Sequence, residues 1–239
     1  MKKLFVFFLL LAFVFAGVED LLKKGDELVA KRETVDMIKK AISLYRQALK
    51  EGADKYEVYW RIVKASYAFK HKKMNKKERI KLYEEAIKLG EEAVKLKPDR
   101  PEAHFWLGVL YGVYGEDRGV LKSLFLIKPI KREMQKVLQI DPTYDCGGAY
   151  RVLGRLYYKV PGFAGGSKKK SLEYLLKGKE ICPQSLLGRI YLAETLIKFK
   201  RKAEAKKELE EALKMEAPPD EKPEEKEYKE RIKKLLSKL

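Results

Sequence analysis

Residues 150–158 read Tyr-Arg-Val-Leu-Gly-Arg-Leu-Tyr-Tyr, and residues 171–183 read Ser-Leu-Glu-Tyr-Leu-Leu-Lys-Gly-Lys-Glu-Ile-Cys-Pro. In the first stretch, Tyr150, Leu153, Gly154 and Tyr157 fall on one helix face, because side chains three, four and seven residues apart stack above one another. In the second, Ser171, Leu175 and Gly178 do the same. Pro183 closes that stretch, because a helix interior does not tolerate proline. Small residues on such a face let two backbones approach closely, and large residues beside them fill the remaining space. The pair therefore predicts two helices packed face to face at their smallest side chains.

The alternation extends outward in both directions. First-helix signatures recur at Trp60, Val63 and Tyr67, with Lys64 where glycine is usual. They recur again at Leu107, Gly108 and Tyr111, and at Leu192, Ala193 and Leu196. Second-helix signatures recur at Ala41, Tyr45 and Ala48, at Ala86, Gly90, Ala93 and Pro98, and at Ala205, Leu209 and Ala212. One second helix is irregular: Ile130, Met134 and Val137 place large residues before Pro142. Gly178 and Ala212 stand 34 residues apart, the period of the tetratricopeptide (TPR) repeat.

The chain thus resembles TPR proteins. The resemblance implies an all-α fold, a helical-hairpin solenoid of about five degenerate repeats. Paired helices are expected near 18–31 and 34–51, 54–70 and 76–96, 101–114 and 118–140, 147–159 and 168–181, and 185–199 and 202–215. Residues 17–215 then form the repeat domain, and residues 216–223 a Pro-rich linker. Residues 224–239 form a capping helix with an apolar stripe of Tyr228, Ile232, Leu235, Leu236 and Leu239. Pro129 is expected to kink or restart its helix. The apolar run before it either lines a pocket, covers a neighbouring subunit or belongs to the core of an enlarged repeat.

Composition narrows the setting. Hydrophobic residues make up 46% and charged residues 37% of 239 residues, a real core under a charged surface. Lys and Glu abound and Asn75 is the only asparagine, usage that resembles proteins of hot environments. Residues 1–16 read as a signal peptide: Lys2 and Lys3, an apolar run from Leu4 to Phe15, then Ala16 before Gly17. The run is shorter than the ~20 residues that span a bilayer. Export to the periplasm or cell envelope is therefore expected, with membrane association only peripheral or through an uncleaved signal. In such a compartment the net charge of +18 points away from nucleic acid. It points toward anionic lipid, polymer or solute, or simply reflects solvated lysine faces.

The stretch from Pro101 to Pro183 carries a narrower resemblance. Asp141-Pro142, Gly147-Gly148, Arg151, Leu153-Gly154, Tyr157, Pro161 and Gly165-Gly166 resemble the T-component family that accompanies TRAP (tripartite ATP-independent periplasmic) transporters. Ala149 stands where proline is frequent in that family, and Ser167 where aspartate is. The resemblance implies an exported accessory component of a solute-transport system that docks a soluble solute-binding protein or holds a small anionic or apolar ligand. The alternative is a structural scaffold for envelope assembly or anionic surface binding, with no small ligand.

In a TPR array the first helices line the groove. By the register above, Arg61, Phe105, Trp106, Arg151, Arg155, Tyr158 and Glu194 point toward it. The competing reading puts Phe105 and Trp106 in the core and the arginines on the surface. Gly165, Gly166, Ser167 and Lys168 open a helix with free N–H groups and cations, which suits either an anion or a solvated turn. Cys146 and Cys182 mark adjacent ends of one hairpin. That placement makes a disulfide geometrically sensible in an oxidising compartment, with two free thiols as the alternative. His71 and His104 have no metal-ligand spacing, and no G-x-S-x-G nucleophile motif occurs. The chain therefore reads as a binding protein without catalysis, metal or cofactor.

Overall fold

The computed structural model describes residues 2–239, with the side chains of residues 2–15 and 120–121 outside the description. The side chains that define the expected signal peptide are among these. Eleven α-helices follow in order: α1 (Lys2–Lys31), α2 (Val35–Lys50), α3 (Lys55–Tyr67), α4 (Lys76–Leu96), α5 (Pro101–Arg118), α6 (Val120–Ile140), α7 (Tyr144–Lys159), α8 (Lys168–Ile181), α9 (Leu186–Lys198), α10 (Lys202–Lys214) and α11 (Glu225–Leu236). Among the described residues there are no strands. No described helix is long and apolar enough to cross a membrane.

The helix ends obey local chemistry. Thr34, Asp54, Asn75, Ser167 and Ser185 each accept a backbone N–H in the first turn of the helix that follows, filling donors that have no intrahelical partner. Pro129 does not break its helix: α6 runs from Val120 to Ile140 as one element. The acceptor that loses a partner is the carbonyl four residues earlier, at Phe125, whose side chain is 83% exposed. Water is at hand on that side of the helix.

The chain forms two compact units, Met1–Asp117 and Arg118–Leu239. In the first, α1 packs on α2 and α3 on α4. Ala41, Tyr45, Ala48, Ala86 and Ala93 are all buried at these contacts. A Cβ on Gly25 would overlap the Tyr45 ring, so α1 reaches α2 only because that position is glycine. A Cβ on Gly90 would lie 3.0 Å from Leu107 and 3.1 Å from Val63, which shows α4 pressed against α3 and α5.

In the second unit, α7 pairs with α8 and α9 with α10, while α6 packs on α7. Ile130, Met134 and Val137 of the irregular helix are buried. Gly154 sits against Leu175 and the Ser171 carbonyl. The apolar stripe of α11 covers the end of the unit: Tyr228 and Ile232 are buried among Leu192, Ala193, Leu209 and Ala212, with Leu235, Leu236 and Leu239 packed around them.

Residues 216–223, expected as a linker, hold most of the 3-10 turn Pro219–Glu224, in which Glu221 and Glu224 are buried. The carboxylate of Glu221 accepts the Ser185 hydroxyl at 2.5 Å and the Leu187 N–H at 3.1 Å. The start of α9 thereby gains the negative charge that a helix N-terminus favours.

Candidate functional site

Four of the groove candidates are engaged within the chain. Arg61 on α3 donates from Nε to Asp26 of α1 and from Nη1 to Glu57 at 2.7 Å. Asp26 also accepts the Tyr45 hydroxyl at 2.7 Å, so one carboxylate ties α1 to α2 and α3. Burial opposes the Arg61 charge, yet Glu57 and Asp26 outweigh it and hold the guanidinium above its ordinary pKa.

Arg151 donates to Asp145 at 2.8 Å and lies 3.9 Å from Glu221. Arg155 and Glu194 meet at 2.5 Å, and Arg231 of α11 reaches the other carboxylate oxygen at 2.5 Å. The Arg155 guanidinium lies 4.3 Å from the Tyr191 ring centroid and 5.2 Å from that of Tyr158. The capping helix therefore places a charge on the α9 face that the sequence reading left open.

Burial works against the charge of Glu194, but Arg155 and Arg231 outweigh it and hold the carboxyl below its usual 4.5. A carboxyl lowered in the folded state contributes stability that is complete above its unfolded pKa and is lost as the pH falls through the folded value. Acid titration of the Glu194→Gln variant should therefore show a flatter loss of stability below about pH 4.5 than the parent. At neutral pH the variant should be less stable by about 1–3 kcal/mol. Parallel denaturant curves at several pH values would check both.

The α7 start is unusual. Asp145, Cys146 and Gly147 have φ of 50°, 56° and 67°, three consecutive left-handed residues. For the two that are not glycine this costs roughly 1–2 kcal/mol each. The segment presents Asp145 to Arg151 and brings Cys146 to Cys182 at the end of α8. The two are joined as a disulfide with Cα atoms 5.3 Å apart. A cavity of about 10 Å³ beneath it is lined by Gly147, Arg151, Gly178, Ser185 and Arg189, room for about one water.

At the expected anion cradle the N–H groups of Gly165, Gly166 and Ser167 are taken. Gly165 donates to Gly162, Gly166 to Pro161 and Ser167 to Tyr157, each at 3.0 Å. The Ser167 hydroxyl caps Lys170. A Cβ on Gly166 would overlap the Val160 carbonyl, so glycine is required for this close turn. Gly165, Gly166 and Ser167 thus hold the turn itself together, and Lys168 lies exposed after it.

Phe105 and Trp106 are both buried. The Phe105 and Trp106 rings meet edge-on at 5.0 Å, and Tyr67 of α3 lies 5.9 Å from Trp106. The Lys64 ammonium, on the residue that replaces the usual glycine, stands 5.2 Å from the Trp106 ring centroid. His71 completes the row, edge-on to Tyr67 at 5.7 Å. Trp106 Nε1 has no hydrogen-bond partner. Lys64, Trp106, Tyr67 and His71 thus form one row in the first unit. The sequence signal that could have found it is Lys64, a cation on a helix face that normally carries none. His104 donates from Nε2 to the Pro98 carbonyl at 3.0 Å, and among the described residues no cluster of metal ligands forms.

The sequence matches the family described as regulator of microtubule dynamics protein 1-3 over residues 21–164, more than half of the chain. The chain belongs to the regulator of microtubule dynamics protein 1-3 family. The matched range of this family member runs from α1 to the turn after α7 and includes Trp106 and Lys64. It also includes Gly147-Gly148, Arg151 and Leu153-Gly154, on which the T-component resemblance rests; the family shown is the regulator family. A sequence search among curated proteins finds no match. Among solved structures, the chain is similar to TTC0263, a thermophilic TPR protein in Thermus thermophilus. The TM-score is 0.69 at 17% identity, over 92% of this chain and 99% of that one. The TPR2AB-domain:pHSP90 complex of yeast Sti1 aligns over 94% of this chain and 98% of that one, at 16% identity and a TM-score of 0.33. The regulator family member described here is a TPR-type helical repeat protein.

Proposed function

We propose that this protein is an exported binding scaffold that holds a peptide segment of a partner protein across α3 and α5. The row of Lys64, Tyr67 and Trp106 on adjacent faces of α3 and α5 carries the reading. The Lys64 ammonium beside the Trp106 ring favours a carboxylate of the partner. Tyr67, partly exposed, adds the rigid aromatic contact that recognition surfaces favour, with Phe105 buried behind it. The cell-envelope setting is supported by the apolar leader. A role beside a solute transporter, docking its soluble solute-binding protein, is supported by the T-component resemblance. N-terminal sequencing of the mature protein tests export: Gly17 as first residue supports it, and Met1 in a cytosolic fraction contradicts it.

Trp106→Phe tests the binding role. The phenyl ring is smaller than the buried indole, so the melting temperature should fall by a few degrees, and affinity is compared where both forms are folded. Affinity for the solute-binding protein should drop by about tenfold, or ~1.4 kcal/mol. Equal affinity for both forms in calorimetric titration would remove Trp106 from the site.

A further inference from the structure

Two segments of the second unit contain no acidic side chain: residues 119–132 and residues 146–172. They carry Lys122, Lys128, Lys131, Lys168, Lys169 and Lys170, none of which pairs with a carboxylate among the described residues. Elsewhere cations alternate with acids and bridge to them, as at Lys39–Glu78, Lys97–Asp54 and Lys179–Glu208.

The two segments meet in space. Lys131 of α6 and Lys170 of α8 stand 4.6 Å and 5.5 Å from the same ring centroid, that of Tyr157. A Cβ on Gly165 would lie 3.5 Å from Lys131 Nζ, which puts the 3-10 turn Gly162–Ala164 beside α6. Phe163 in that turn is 89% exposed, and Phe125, between Lys122 and Lys128 in the acid-free part of α6, is 83% exposed. The other exposed large hydrophobics among the described residues lie at 40–46%. A single exposed apolar residue needs no explanation. Two phenylalanines this exposed, both in acid-free segments that carry lysines, are the composition of an interfacial membrane contact.

We propose that this turn, α6 and the first turn of α8 dock on an anionic phospholipid surface. Phe163 enters the boundary between headgroups and acyl chains, and the lysines beside it face the lipid phosphates. The shape of the turn decides for lipid over a protein groove or a nucleic acid. None of its three residues is buried, and Phe163 at 89% exposure stands clear of the turn, which a deformable medium accommodates. This contact uses elements other than α3 and α5 and does not depend on the peptide-binding reading.

Vesicle flotation of the full chain tests it, comparing phosphatidylglycerol-containing vesicles with pure phosphatidylcholine. The apolar leader is common to every variant, so differences between variants report the patch. Phe163→Ser should weaken binding to the anionic vesicles by about tenfold. Each lysine replaced among Lys168, Lys169 and Lys170 should weaken it by about fivefold, with the effect fading at high salt. These side chains are exposed, so unchanged circular dichroism should accompany both losses. A Phe163→Trp variant should be quenched by brominated acyl chains. Equal binding by parent and variants overturns the proposal. So does binding that follows the lysines alone, with Phe163→Ser unaffected and soluble polyglutamate competing fully, since the partner would then be a polyanion.

Discussion

Leucine in place of Gly154 is expected to unfold the second unit at the temperature where the parent is native. A Cβ at this position would lie 2.5 Å from Leu175 Cγ and 3.3 Å from the Ser171 carbonyl oxygen. Leu175 is itself buried and Ser171 fully so, and the Ser171 hydroxyl is held at 3.1 Å by Thr195 of α9. Relief therefore requires α7 and α8 to separate, which loosens α9 as well. Overpacked cores lose about 1–3 kcal/mol for modest insertions. Gly154→Ala should fall in that range and Gly154→Leu should exceed it. Denaturant midpoints of the two variants against the parent give the test. An unchanged midpoint for leucine would mean that α7 and α8 are not packed at their small residues.

The second large effect concerns the disulfide. Cys146 and Cys182 are 36 residues apart. Closing a loop of that length constrains the unfolded chain by about 4 kcal/mol in the chain-entropy model. Against this stands the left-handed conformation of Asp145 and Cys146, which the bond helps to hold. The double variant Cys146→Ser, Cys182→Ser lets that segment relax and recovers part of the loss. A net fall of several kcal/mol is expected, a drop in melting temperature on the order of 10 °C. Amide exchange should quicken first at residues 144–147, where the ion pair between Asp145 and Arg151 depends on the backbone turn. Calorimetry with and without reductant provides the measurement.

Much of this architecture was legible because hairpin packing writes itself as a period. Ala41, Ala86, Ala93, Ala205 and Ala212 are all buried, at the spacing where paired helices approach. The site was less legible because it is closed by charges far apart in sequence. Glu194 and Arg231 are 37 residues apart, and no spacing rule announces that α11 will bring its arginine to α9. Asp145 reaches Arg151 only through a left-handed backbone that its residue type does not demand. Glu221 lies in a segment whose prolines read as a connector, yet it docks at the start of α9. In each case a side chain assigned to an open face had a partner that periodicity does not reveal. At Trp106 aromatic content alone left core and groove open, and the structure buries the ring.

Selection of a random-peptide display library on the purified protein, with Trp106→Phe as counter-target, tests the binding role most directly. The account predicts enriched sequences ending in or rich in carboxylates, bound about tenfold more tightly by the parent than by Trp106→Phe and weakened when Lys64 is replaced by alanine. Peptides retained equally by parent, Trp106→Phe and Lys64→Ala would contradict it.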